Sequence, residues 1–393
     1  MGILQRVSDK ARWGVEFFDT TGKEGGSIGA RVIGTSMITL NQDLQDKACG
    51  TWTPLAESYF VAMKYYMQKK ITEISGYSTN EPPCANAGDD PYLLDGKEIY
   101  CAKSFVLLIT DGASTQDQAI PSAYKDYDGE KNAKLKFFHD DSIVPTFGSS
   151  GSSYLADLAL YAKVTDLRSS TIGKNNLEGN QNIILYPVYA FGDNSYDSKA
   201  ARALLKTTAM NGGFEDRNGN NKPDFDLPEE WDRDGDGIPD NYYEATDGYA
   251  LEAQLARAIN DILKRSASGT AVASTVTSEE GEGTALQAYF KPTLTNDDMT
   301  EEISWVGYVQ SLWLDYYGNL REDTDQDLAL DIGTDKIVKT YLEPGTGEVR
   351  ARLYDVSADA PYPDTSDGSN STFYTVPLEE LRALWKGDER LRD

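Results

Sequence analysis

The stretch from Asp216 to Asp240, DRNGNNKPDFDLPEEWDRDGDGIPD, repeats one arrangement of side-chain oxygens twice. Asp216, Asn218, Asn220 and Asp224 stand at positions 1, 3, 5 and 9 of a first loop. Asp232, Asp234, Asp236 and Asp240 stand at the same positions of a second. The spacing returns far downstream as Asp323, Asp325, Asp327 and Asp331. Oxygen donors at these offsets suit Ca2+, which takes about six to eight oxygens in flexible geometry. Gly237, at position 6 of the second loop, permits the sharp turn such a loop needs. Ile238, at position 7, counts with the second loop's ligands through its carbonyl.

Charge sharpens the argument. Between Asn211 and Asp247 there are 12 acids and 3 bases, a net of −9. That density repels itself in a folded segment without counterions. A solvated acidic linker accounts for the composition but not for the repeated spacing. The first loop carries two neutral amides, so it is expected to bind more weakly than the second. Position 12 of the second loop is Tyr243, where an EF-hand has a bidentate Glu, and Glu244 comes one step late. The loops therefore resemble those of thrombospondin type 3 repeats or dockerins more than EF-hands.

The whole chain carries a net charge of −27. A nucleic-acid partner needs a basic face, and anionic lipid repels such a surface, so both are excluded as expected partners. No apolar run is long enough for a membrane span. The first residues, GILQRVSDKARWG, lack the apolar core of a signal peptide. Three cysteines, Cys49, Cys84 and Cys101, leave one unpaired if Cys84 and Cys101 close the insertion between them; two buried free thiols are the alternative. Calcium loops and a disulfide would together favour an oxidising, extracytoplasmic setting.

Residues 3–12 read as the end of an amphipathic helix and Trp13–Phe18 as a strand, followed by a Gly-rich turn over 22–29 and a short strand over 30–33. Thr53 as N-cap and Pro54 as first helical residue open a helix whose apolar positions run Leu55, Tyr59, Ala62, Met63, Tyr66 and Met67. Phe105–Ile109 and Asn182–Phe191 are continuously apolar, the pattern of parallel strands covered on both faces. Helices are expected from Ser152 or Ser153, over Ala200–Met210 and over Leu251–Lys264, with a short strand at Tyr242–Ala245. Alternating strands and helices imply a doubly wound α/β domain over 1–265, with the calcium loops as an insertion over 214–241. From 266 to 393 the texture is β-rich, with strands at Leu286–Phe290, Ile303–Leu314 and Ile337–Tyr341, a long loop over 355–372 and a helix over Leu378–Trp385.

In a doubly wound sheet, ligands sit beyond the carboxyl ends of the strands. Asp111 ends the Phe105–Ile109 strand, and Thr51 and Thr53 open a helix. A carboxylate with hydroxyls suits Mg2+, although Asp-Gly also makes ordinary turns. Phe105-Val-Leu-Leu-Ile-Thr-Asp-Gly112 resembles the fourth strand of a von Willebrand factor A domain. Gly50-Thr51-Trp-Thr53-Pro-Leu resembles its threonine loop, Ala11–Phe17 its second strand, and Val188–Gly192 its fifth. The resemblance implies an adhesion-type Mg2+ site using Thr51 and Asp111. The resemblance expects that family's Asp-x-Ser-x-Ser loop after its first strand, upstream of residue 1, and neither the loop at that place nor the central strand is matched here. Taken in order, Cys101–Gly112, Thr165–Arg168, Ser268–Ala271, Leu286–Phe290, Ile303–Tyr308 and Arg321–Asp325 resemble the PilC/PilY family of type IV pilus tip adhesins. That family's β-propeller is approached here only by Leu384–Asp393.

The expectation is thus a calcium-binding type IV pilus tip adhesin, extracellular or on the cell surface, that supports attachment and pilus extension and retraction. Its partners would be pilus-tip minor pilins and a host or abiotic surface ligand. A second expectation is a scaffold subunit completed by a partner chain that donates the missing strand. An enzyme is not expected. His139, the only histidine, has no placeable partners, and the chain lacks a Gly-x-Ser-x-Gly elbow, a phosphate loop or a dinucleotide fingerprint.

Overall fold

Strands that are apolar at every position need cover on two faces, and the parallel sheet of this protein has it. A computed structural model of the chain describes residues 11–19, 24–32, 37–47, 52–77, 90–94, 96–129, 137, 145–174, 176–266, 270–277, 283–295, 302–315, 317–343, 349–354 and 373–387. Two compact units form: residues 1–215 with 222–263, and residues 216–221 with 264–393. Residues 216–221 thus group with the second unit rather than with the insertion expected over 214–241.

In the first unit, β1 (Val15–Phe18) and β2 (Gly26–Ala30) form an antiparallel pair, followed by α1 (Met37–Asp46) and α2 (Leu55–Met67). A small hairpin, β3 (Leu93–Leu94) and β4 (Lys97–Glu98), leads into β5 (Ser104–Thr110). Then come α3 (Tyr154–Val164), β6 (Ile183–Ala190), α4 (Tyr196–Gly213), β7 (Tyr243–Ala245) and α5 (Gly248–Ser266). β5, β6 and β7 make one parallel sheet with β6 in the centre, buried at every position. Val106, Leu108 and Leu185 face the core built with α2, α3 and α4. Phe105, Leu107, Ile184 and Tyr186 face Ala258 and Ile262 of α5 on the other side. The mixed α/β class read from the sequence is what this unit adopts.

α2 is buried along its whole length except at Ala62. The sequence places Thr53 at its N-cap, but Pro54 occupies that position and no side chain of the helix's own caps it. Pro54 instead orients the turn, and the cap comes from Asp117. Its carboxylate accepts from the Ala56 N–H at 3.1 Å and the Glu57 N–H at 2.9 Å. The hydroxyls of Ser114 and Ser152 donate to the same carboxylate, at 2.7 and 3.0 Å. In return Glu57 accepts from the Ala119 N–H at 2.7 Å. This reciprocal arrangement satisfies the donors that every helix start leaves open. A second buried charge is equally well matched: the Arg168 guanidinium meets both oxygens of Asp90 at 2.8 Å and lies over the Tyr92 ring.

The second unit is antiparallel. Its strands are β8 (Thr270–Thr277), β9 (Gly283–Thr295), β10 (Glu302–Leu314), β11 (Leu320–Arg321), β12 (Ile337–Leu342), β13 (Val349–Tyr354), β14 (Phe373–Pro377) and β15 (Trp385–Lys386). They run in the order β14-β13-β12-β11-β10-β9-β8, with β15 paired to β10. Leu312, Val338, Ala351, Leu353, Val376 and Leu381 form its core. Residues 216–221 lie along β14: the Thr375 N–H donates to the Arg217 carbonyl, and Arg217 pairs with Glu380 and stacks over Tyr374.

Several expectations change. The turn expected over 22–29 and the strand over 30–33 give way to β2 at Gly26–Ala30, where pairing with β1 overrides glycine's weak strand preference. α1 was not foreseen. α4 runs beyond Ala200–Met210 at both ends, because Ser195 caps it and Gly212–Gly213 stay helical. The helix expected over Leu378–Trp385 is a single 3-10 turn, Leu378–Glu380, followed by β15, since Lys386 pairs with Gln310. Cys101 is an exposed free thiol. Cys49, Cys84, Thr51, His139 and the segments 3–10 and 355–372 lie outside the described residues.

Burial pushes the Asp117 carboxyl from its ordinary 3.8 up to about 7, against the pull of its four donors. The folded chain therefore keeps this proton where the unfolded chain has lost it, so the group's contribution to stability falls as pH rises from about 4 to about 7. Asp117→Asn is expected to remove this slope, which is at most about 1.4 kcal/mol per pH unit. Urea melts of both proteins across the range provide the check, and identical slopes would refute the assignment.

Candidate functional site

The three acidic loops share one backbone template. In each, the first aspartate accepts from the N–H groups four and five residues on. Asp232 accepts from Asp236 at 3.0 Å and Gly237 at 2.8 Å. Asp323 accepts from Asp327 and Leu328, both at 3.1 Å. Asp216 accepts from Asn220 at 3.2 Å and Asn221 at 2.8 Å. Positive φ recurs at the fourth and sixth positions: Gly219 and Asn221, Gly235 and Gly237, Gln326 and Leu328. The first aspartate thus folds the chain around its own carboxylate.

In the second loop, one carboxylate oxygen each from Asp232, Asp234 and Asp240 lies within 4.8 Å of the others. Two oxygens bound to one Ca2+ at about 2.4 Å can be no more than about 5 Å apart, so the triad fits that ion. Asp236 is not in the triad; its carboxylate accepts from the Ile238 N–H at 2.7 Å. Asp240 also takes a charge-assisted bond from Arg233 at 2.6 Å. Packing fixes both ends of the loop. Trp231 is buried with Leu160, Met210 and Phe214, and its indole donates to the Asp224 carbonyl. Asn241 donates to the Leu185 and Ala209 carbonyls, and Gly213 leaves the space its side chain fills.

In the third loop the converging oxygens are those of Asp323, Asp325 and Asp327. Asp331 is not in that group, though its N–H donates to Asp335 at 2.9 Å. Asp335 was missed in the sequence. It is buried, it accepts from the Thr324 N–H, and burial raises its pKa, helped by the charges of Asp323 and Asp325. Its signal was an acid thirteen positions into the loop, the place Glu244 holds in the second loop. Beneath it Arg321 donates to Asp315 at 2.8 Å and to the Ile332 and Asp335 carbonyls. Burial would raise the Asp315 pKa, but the bonds from Arg321 and Asn319 prevail and hold it low.

Of the first-loop residues, Asp216, Asn218 and Asn220 fall in the second unit and Asp224 in the first. The Asp224 N–H donates to Glu230 at 2.9 Å. A third converging group, Asp126, Asp128 and Asp157, had no sequence signature, since Asp157 joins the other two from a separate segment. Burial, then the neighbouring Asp128, pushes the Asp157 carboxyl up to about 7.

Asp111 lies where the sequence placed it, at the C-terminal end of β5, on a cleft of about 470 Å3. Among the described residues, Thr53 lines that cleft, while Thr51 lies outside the described residues. Thr53 and Thr115 hold each other through two bonds, Thr53 N–H to the Thr115 hydroxyl and Thr115 N–H to the Thr53 carbonyl. Asp193, across the cleft, accepts from the Ser195 N–H and from the hydroxyls of Ser195 and Ser198; these bonds bring its pKa down to about 2.

At Gly237, φ is +79° and an added Cβ would meet nothing within 4 Å. Gly237→Ala is therefore expected to cost about 1 kcal/mol from backbone conformation alone. Gly248→Ala, equally uncrowded but at the start of α5, serves as the control and should cost nothing. Denaturant midpoints of the two variants decide, and equal stability would mean that the loop does not impose this conformation. Comparison of the chain with protein-family models, with curated proteins and with solved structures finds no match.

Proposed function

We propose that this protein is a calcium-binding extracellular adhesin of the type IV pilus tip kind, with an α/β unit of the von Willebrand factor A type. The observation that carries the calcium reading is the pair of carboxylate triads, Asp232/Asp234/Asp240 and Asp323/Asp325/Asp327, built on one backbone template. Hard carboxylate oxygens at this separation match a hard cation, and the flexible loop geometry favours Ca2+ over the stricter octahedron of Mg2+. The ion would offset the repulsion that the loops carry within a chain of net charge −27. Its binding free energy would add to the stability of the folded state. A surface adhesin works in a calcium-rich medium and resists pulling, and ion-braced loops suit both conditions. The adhesin and pilus assignment rests on the sequence resemblance, with minor pilins and a surface ligand as the partners it implies.

The test is a thermal melt of the purified chain in EGTA, in Ca2+ and in Mg2+. A calcium-selective rise on the order of 5 °C is expected, given the stabilisation a saturating ligand supplies. Asp234→Asn and Asp325→Asn, both at exposed positions, should each reduce the rise without lowering the melting temperature in EGTA. No selective rise would leave the loops as solvated acidic turns.

A second reading follows from β5. Among the described residues this uncharged, continuously apolar strand pairs only with β6, so it stands at the edge of its sheet. Edge strands of that composition invite a further strand. A scaffold subunit completed by a partner's strand would use this edge. Hydrogen exchange on the isolated chain discriminates: unprotected alternate amides along β5 are expected. A stable monomer with β5 protected as strongly as β6 would remove the motive for this reading.

A further inference from the structure

The cleft at the C-terminal ends of β5 and β6 has a chemistry different from that of the loops. Its walls include Trp52, Tyr189 and Phe191, and its acids are Asp111, Asp193 and Asp197. Trp52 and Phe191 are 50% and 53% exposed, a large apolar surface to leave in water beside carboxylates. Phe191 keeps this outward position although its φ is +61°, because its N–H is tied to the Ala245 carbonyl at 2.7 Å. Among the described residues, no lysine or arginine lines the cleft. Arg202, packed on the Tyr189 ring, spends its donors on Glu244 and the Asp193 carbonyl.

The spacing of these acids argues against one small ion as the occupant. Every set of three carboxylate oxygens that converges within 4.8 Å among the described residues lies elsewhere. Asp111, Asp193 and Asp197 form no such set, so the three cannot together enclose a divalent cation as the loop triads can. Separated carboxylates and exposed aromatic faces suit a larger, softer cation. An alkylammonium group gains Coulomb attraction from the acids and cation–π attraction from the rings, while its methylene stem covers apolar surface. The volume of about 470 Å3 is within the usual range for small-ligand clefts and is ample for one such side chain.

We infer that this cleft binds an alkylammonium group, with Trp52 and Phe191 as its aromatic walls and Asp111 and Asp193 as its countercharges. The group could be a lysine side chain of a partner polypeptide or a free polyamine; both share this chemistry. The inference does not rest on the calcium reading, because the loops take no part in it.

The experiment is a titration followed by amide NMR of the full chain in EGTA, which removes any contribution from the loops. The probes are N-acetyl-lysine methylamide, its uncharged norleucine counterpart, and cadaverine. Shifts at Asp111–Gly112, Phe191–Asp193 and the Trp52 indole are expected with a charged probe and not with norleucine. Binding by the lysyl probe favours a polypeptide source, and tighter binding by cadaverine a polyamine. Trp52→Ala and Asp111→Asn should each weaken binding about two- to fivefold while leaving the melting temperature unchanged. The inference is overturned if neither charged probe shifts these signals, if norleucine shifts them equally, or if both variants bind as well as the parent chain. It is also overturned if Mg2+ shifts the cleft amides and no amine does.

Discussion

The carboxylate of Asp117 is the point on which the first unit turns. A helix that begins after proline has no side chain of its own to receive its first N–H groups, and α2 is too deeply buried for water to receive them. Asp117 supplies both oxygens from the loop that follows β5. The same carboxylate gathers Ser114 and Ser152, so the loop, the start of α2 and the approach to α3 are fixed together. Gly151 belongs to this construction: a Cβ there would stand 1.9 Å from the Ser114 carbonyl oxygen. The consequence lies a few residues away, where Trp52, Thr53 and Asp111 are brought to one rim of the cleft. Capping of this kind is worth about 1 kcal/mol where water competes. Here the larger effect is that no alternative partner exists for the buried donors.

The acidic loops solve a different problem with the same group. Their first aspartate accepts two N–H bonds and bends the chain, and in the second and third loops two further carboxylates converge with it. Glycine meets the left-handed requirement at both places in the second loop, but the third loop places Gln326 and Leu328 there. Such residues cost about 1–2 kcal/mol each in that conformation. The conformation nevertheless holds, because the Asp323 carboxylate receives the Asp327 and Leu328 N–H groups while Arg321 and Asp335 pin the base of the loop. The third loop is therefore the more strained of the two triad-bearing loops, and an ion there would have more repulsion and strain to offset.

What could be read from the sequence follows from where each interaction sits along the chain. The apolar runs at Phe105–Ile109 and Asn182–Phe191 announce strands covered on both faces, because burial acts along the run. The loop spacing was legible for the same reason, since donor and acceptor lie within five residues. Asp117 was not, because a helix cap supplied from 60 residues away leaves no local mark. β2 was hidden by its glycines, and the chain's end was misread as helical because its apolar spacing also suits a strand that pairs with β10. Thr53 at the cleft was legible as a hydroxyl near a helix start, but its mutual bonds with Thr115, 62 residues on, left no local mark.

A chain with 64 acids and 37 bases must decide where its excess charge goes, and the folded protein sorts it by environment. Deeply buried acids are matched individually: Asp90 by Arg168, Asp315 by Arg321, Asp117 by four donors. Matching of that kind offsets part of the cost of burial, incompletely at Asp117, and occupies the oxygens that a further cation would need. The loop triads and the cleft are matched far less completely. Arg233 pairs with Asp240 of the second triad, and Asp323 and Asp327 of the third accept from backbone N–H groups. Residual negative charge is thus concentrated at a few sites where backbone geometry already holds the oxygens in place. Ordering them has been accomplished by folding, so a cation arriving there gains attraction without the entropic cost of assembling its ligands.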